Sequence, residues 1–186
     1  MKRQVFIING SGGVGKDLFI EMISFVESRI LNKHIGIGNY SSISKVKEIA
    51  EIVGWTGAKT EKDRKFLSDL KLLTTEYNNM PLNDIKEFTN CFMSATRNDI
   101  DAMLFLHIRE PEEIAKAVSE FKEYDAKTIL VKRDSVKHIT SNMADENVYN
   151  YTYDIVIDNS GTIEDLKEKA KCFLYDFLNG NFKNEY

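Results

Sequence analysis

Cysteine is scarce in this 186-residue chain: Cys91 and Cys172 stand far apart, and neither has a neighbour at metal-ligand spacing. Both read as buried or partly buried thiols. No apolar run approaches the roughly 20 residues that cross a bilayer, and the N-terminus enters a strand directly instead of a signal peptide. The expectation is a cytoplasmic protein with no membrane partner. A basic excess is also missing: the formal net charge is −4, which argues against a dedicated nucleic-acid binder. Neither an internal repeat nor a linker interrupts the chain. With 42% hydrophobic and 29% charged residues, 1–186 reads as one domain with a proper core.

What is present is concentrated near the start. Gln4 to Asn9 is an apolar run, Gly10-Ser11-Gly12-Gly13-Val14-Gly15-Lys16-Asp17 follows, and Leu18, Phe19, Met22, Ile23 and Val26 then recur at helical spacing. This is a buried strand, a glycine-rich turn and a helix running from about Lys16 to Leu31. Gly10, Gly15 and Lys16 satisfy G-x-x-x-x-G-K, the phosphate-binding loop. Its backbone N–H groups, including those of Gly12, Gly13 and Val14, surround an anion while the helix presents its positive end and the lysine reaches the terminal phosphates. A Ser or Thr hydroxyl, the usual Mg²⁺ ligand, is replaced by Asp17. Its carboxylate suits the helix dipole and is a candidate metal ligand, directly or through water. It also adds negative charge beside a triphosphate, so metal is expected to be needed for tight nucleotide binding.

Further along, strands are expected at 34–40, 99–108, 128–133 and 153–159, alternating with helices. Ser42 or Ser44 is the expected N-cap of a helix over 45–53. Helices over 64–73, with Phe66, Leu67, Leu70 and Leu73 inward, and over 82–97 come next. Pro111 with Glu112 and Glu113 opens a helix, and Thr162 with Asp165 forms a capping box before the last one. Strands alternating with helices imply a parallel sheet covered on both faces. Ligands of such sheets bind at the carboxyl ends of the strands, which singles out His107 and Arg109, and Arg133 stands at the end of the next strand.

The loop ending in Lys16-Asp17, the segment Ile108 to Glu113 and the ending Ile157 to Leu166 together resemble the deoxynucleoside monophosphate kinases of phage and bacterial type. That family is similar in outline to P-loop phosphomevalonate kinase and dephospho-coenzyme A kinase. The resemblance implies a three-layer P-loop NTPase/nucleoside monophosphate kinase-like α/β fold, with a central parallel sheet and helices on both faces. It implies ATP and Mg²⁺ as donor and cofactor, and transfer of the γ-phosphoryl group to a small phosphorylated acceptor, foremost a (deoxy)nucleoside monophosphate. Its acceptor-binding region falls at about 40–98, with Ser42, Lys45 and Arg64 as substrate-binding candidates; a solvated helix face is the alternative reading of both cations. Its lid falls at about 134–150. Asn159 and Gly161 match positions near the donor base, and Arg109 and Arg133 would shield the moving phosphoryl group.

One departure stands out. Arg109, Pro111 and Glu113 match the family's Asp-Val-Arg-x-Pro-x-Glu pattern, but His107 occupies the position of its acidic residue. Either His107 takes a proton from the acceptor or it is a satisfied core histidine. Two other readings stay open: a nucleotide-binding protein with little catalysis, and a dephospho-coenzyme A kinase-like enzyme.

Overall fold

The computed structural model describes residues 1–30, 34–134 and 147–186. Five strands form one sheet in the order β2-β3-β1-β4-β5: β1 (Arg3–Asn9), β2 (Ile35–Ser41), β3 (Asp101–His107), β4 (Lys127–Lys132) and β5 (Ile155–Asp158). β1 pairs in parallel with both β3 and β4, and β4 with β5. Val5 to Ile8 and Ala102 to Leu106 are fully buried. Such unbroken apolar strands are what a parallel sheet covered on both faces requires.

The two faces separate by residue parity. Phe6, Ile8, Met103, Phe105, Ile129 and Val131 join one apolar cluster with α1 (Lys16–Ile30) and α6 (Ile163–Asn179), which pack on each other. Phe6 stacks on Phe105 with ring centroids 5.2 Å apart, and Phe173 of α6 sits 5.2 Å from Phe6. Removing such a ring costs about 3–5 kcal/mol. The opposite face carries α5 (Pro111–Glu120), whose Ile114 and Ala117 are buried and which packs on β1 and β4. A phosphate-loop strand at the sheet's centre with helices on both faces is the α/β P-loop fold.

Clustering of contacts divides the chain into two compact units, residues 1–39 with 96–186 and residues 40–95. The second unit holds α2 (Ser44–Ile52), α3 (Glu61–Asn78) and α4 (Met80–Ala95). Tyr40 stacks on Phe88 with centroids 3.8 Å apart, and its hydroxyl donates to Asp84 Oδ2 at 2.9 Å. Burial, reinforced by that carboxylate, pushes the Tyr40 phenol up to about 12.

Several sequence expectations need correction. α2 is capped at Ile43 without a side-chain hydrogen bond, so neither Ser42 nor Ser44 is its N-cap. α3 begins at Glu61, three residues earlier than expected, because Thr60 and Asp63 form a reciprocal capping box. No residue of α3 is fully buried, and Phe66 and Leu73 are 37% and 63% exposed, so the expected inward face is only half covered. Both cysteines are exposed. Cys172 lies beside Phe173 on α6, one position off the stripe that meets the sheet.

The sequence did not announce the last residues as part of the sheet. Val156 N–H donates to Asn184 O at 2.8 Å and Tyr186 N–H to Val156 O at 2.9 Å, which extends the sheet beyond β5 and covers its edge. Most of the expected lid, 135–146, lies outside the described residues. The four residues after it, Asn147–Asn150, form a 3₁₀ turn.

Candidate functional site

β1 ends at Asn9 and α1 begins at Lys16, so the glycine-rich loop spans the carboxyl end of the central strand and a helix N-terminus. Gly10 and Gly15 take φ of +147° and +93°, where a side chain is strained. Both are also sterically confined. A Cβ on Gly10 would lie 2.4 Å from Val131 O, and one on Gly15 2.4 Å from Asn159 Nδ2. Gly13, with φ +82°, meets nothing within 4 Å and is exposed. The loop is therefore pinned at its two ends and open at its crest, the form an anion-binding turn needs.

Val14 is the loop's apolar anchor, 1% exposed in the core, and its carbonyl accepts from Asn159 Nδ2 at 2.8 Å. Lys16 extends back over the loop: its Nζ donates to Gly10 O at 2.5 Å and Ser11 O at 3.1 Å. The Ser11 hydroxyl is buried without a hydrogen-bond partner among the described residues.

Asp17 meets two neighbours from other strands. Its Oδ1 accepts from Asn39 Nδ2 at 3.2 Å and stands 3.5 Å from His107 Nε2. The Asp17 side chain is 74% exposed whereas that of His107 is 15% exposed. Three residues from α1, β2 and β3 thus converge beside the loop; the sequence singled out Asp17 and His107 but missed Asn39. A carboxylate next to the loop lysine fits Mg²⁺, which takes one or two protein oxygens and completes its shell with phosphate and water. No cluster of three or more His, Cys, Asp or Glu side chains suited to a metal occurs among the described residues.

Arg109 follows β3 and is half-buried, and its carbonyl accepts from Asn9 Nδ2 at 3.0 Å. Arg133 follows β4; its Nε is buried without a hydrogen-bond partner among the described residues. Gly161 follows β5 with Asp165 Oδ2 packed close to its backbone, so a Cβ there would sit 2.6 Å from that oxygen. A shallow groove of about 490 Å³ opens beside Gly161, lined also by Lys169, Cys172 and Tyr186.

Ser42, Lys45 and Arg64 belong to the second unit. Ser42 is buried. Lys45 Nζ pairs with Glu48 Oε2 at 2.7 Å, and that hydrogen bond raises the pKa of its ammonium. Arg64 Nε donates to Lys59 O at 3.2 Å. Both cations are thus engaged within their own unit.

The fold and this site define an α/β protein with a glycine-rich G-x-x-x-x-G-K loop between its central strand and first helix. No protein-family model and no curated protein matches the chain. Among solved structures it is similar to shikimate kinase from Aquifex aeolicus, at 12% identity over 96% of this chain and 100% of that one, with a TM-score of 0.44. It is similar also to a tunicamycin resistance protein from Deinococcus radiodurans, at 10% identity over 100% and 86%, TM-score 0.42. Thymidylate kinase from Ehrlichia chaffeensis matches at 9% identity over 100% and 92%, TM-score 0.32. Likenesses this distant transfer no substrate or activity.

Proposed function

We propose that this protein is an ATP-dependent kinase that transfers the γ-phosphoryl group to a small phosphorylated acceptor, foremost a (deoxy)nucleoside monophosphate. The observation that carries the reading is the loop itself, pinned at Gly10 and Gly15, open at Gly13 and overlaid by the Lys16 ammonium. Phosphoryl transfer requires mainly positioning and charge neutralisation, and these parts supply both. The loop amides bind the donor phosphates. Lys16 exchanges the carbonyls of Gly10 and Ser11 for phosphate oxygens, a replacement favoured because those oxygens carry full negative charge opposite the ammonium.

Asp17 holds Mg²⁺ beside the loop, with Asn39 and His107 orienting its carboxylate. Bound there, the ion supplies neutralisation of the donor's phosphate charge. Arg109 and Arg133, at the ends of the strands on either side of β1, shield the moving group. Ser42, Lys45 and Arg64 receive the acceptor. To do so Lys45 must give up Glu48 and Arg64 the carbonyl of Lys59. Asn159 acts on the donor side by holding Val14, and Gly161 lies near the donor base.

Titration of ATP, with and without Mg²⁺, against a panel of nucleoside monophosphates tests the proposal through ADP release. Release that depends on acceptor supports it. ATP binding without any such release would favour a nucleotide-binding protein, and release with dephospho-coenzyme A alone would name that acceptor instead.

A further inference from the structure

The parallel ladder between β1 and β3 runs from Arg3↔Ala102 to Ile8↔His107. One residue later β1 ends at Asn9, whose backbone still pairs with β4 while its side chain takes over the link toward the end of β3. Asn9, fully buried, donates from Nδ2 to Arg109 O at 3.0 Å and to Tyr153 Oη at 2.7 Å, while its Oδ1 accepts from Gly10 N–H at 2.8 Å. The Tyr153 hydroxyl in turn donates to Val148 O at 2.7 Å. One carboxamide therefore joins the first amide of the loop, the backbone of Arg109 and the 3₁₀ turn at 147–150.

We propose that Asn9 is a positioning residue that fixes Arg109 relative to the phosphate loop, with Tyr153 holding the carboxamide in its working orientation. The role in turnover rests on the phosphoryl-transfer reading above; the mechanical link does not. Buried amides with both ends occupied have one low-energy orientation, because any rotation strands a donor or an acceptor away from water. Oδ1 is set by Gly10, so Nδ2 is aimed at Arg109 O. The end of the phosphate-loop strand and the arginine-bearing loop are thereby joined through one side chain.

The test compares wild type with Asn9→Ser, whose hydroxyl is too short to reach Arg109 O, and with Tyr153→Phe, which keeps the ring and loses the acceptor. Amide hydrogen exchange of the nucleotide-free protein over residues 108–113 is expected to accelerate about tenfold in Asn9→Ser, with β1 and α6 unchanged. In the kinase assay, ATP affinity is expected to stay within about threefold while acceptor-dependent turnover falls about 30-fold, the signature of a misplaced group. Unchanged exchange at 108–113 overturns the proposal, as does an equal loss of affinity and turnover tracking a fall in thermal stability. If wild type binds no ATP, the kinase reading fails and the exchange result still decides the link. Should Asn9→Ser fail to fold, Tyr153→Phe decides through the same peptides and those of 147–150: faster exchange supports the link, and unchanged exchange overturns it.

Discussion

Asn159 and Val14 lie 145 residues apart in sequence, and the carboxamide of one donates to the carbonyl of the other at 2.8 Å. Asn159 is itself held, its N–H donating to Lys132 O at 2.8 Å. The end of β5 thus buttresses the phosphate loop across the carboxyl edge of β4. Gly15 makes the contact possible, since a side chain there would occupy the place of Asn159 Nδ2.

Gly15→Ala is accordingly expected to destabilise the fold by about 1–3 kcal/mol, from the positive φ and the displaced amide together. It should also weaken ATP binding. Chemical denaturation and a fluorescent-nucleotide titration on the same preparation measure both; Gly13→Ala, at an open position, should show the smaller loss of stability.

Lys16→Ala removes the ammonium from the loop. Acceptor-dependent ADP release is expected to fall about 10²–10³-fold, the size of effect seen when one charge-stabilising group is lost. A coupled assay at saturating Mg²⁺ checks it, and full activity in this variant would sink the kinase proposal.

Asp17 places negative charge beside the triphosphate site, so its effect should reverse with metal. Without Mg²⁺, Asp17→Asn is expected to bind ATP about fivefold more tightly than wild type, the scale of a repulsion of about 1 kcal/mol in water at 4 Å. With Mg²⁺ the order should invert. Parallel titrations in EDTA and in Mg²⁺ give the answer, and the same order in both would count against a metal role for Asp17.

Asp158 accepts from Ser160, and that hydrogen bond holds its carboxyl below the ordinary value of 3.8. A depressed folded-state pKa contributes stability that is complete above the unfolded value and is lost as pH falls through the folded one. The melting temperature of Asp158→Asn should therefore lie below that of wild type at neutral pH. The gap should close as the pH drops below 3.8. A gap that persists in acid would mean the carboxylate charge is not its source.

Cys91 and Cys172 are both exposed, so a thiol reagent should titrate two groups in the native protein without denaturant. Slow reaction of either, accelerated by urea, would show that the thiol is covered in solution.

The chain's local grammar made much of this legible. The apolar run before Gly10, the G-x-x-x-x-G-K spacing and the helical recurrence after Lys16 each depend on neighbours in sequence, and all three stand in the structure as β1, loop and α1. The Thr162–Asp165 capping box appears as read, being a four-residue event. The Thr60–Asp63 box has the same chemistry, but it lies in a polar stretch whose lack of apolar periodicity hides the start of α3.

By itself, then, the sequence determined that a glycine-rich turn joins a buried strand to a helix, with Lys16 and Asp17 at the helix's positive end. The tertiary structure alone decided what surrounds that turn. Once β3 and β4 flank β1 and β5 pairs with β4, Asn159 reaches Val14, Asn9 reaches Arg109 and Tyr153, and His107 and Asn39 reach Asp17. These partners lie between 22 and 145 positions apart or on separate strands, where no local spacing rule operates. Only the order of strands in the sheet brings their polar groups to one edge.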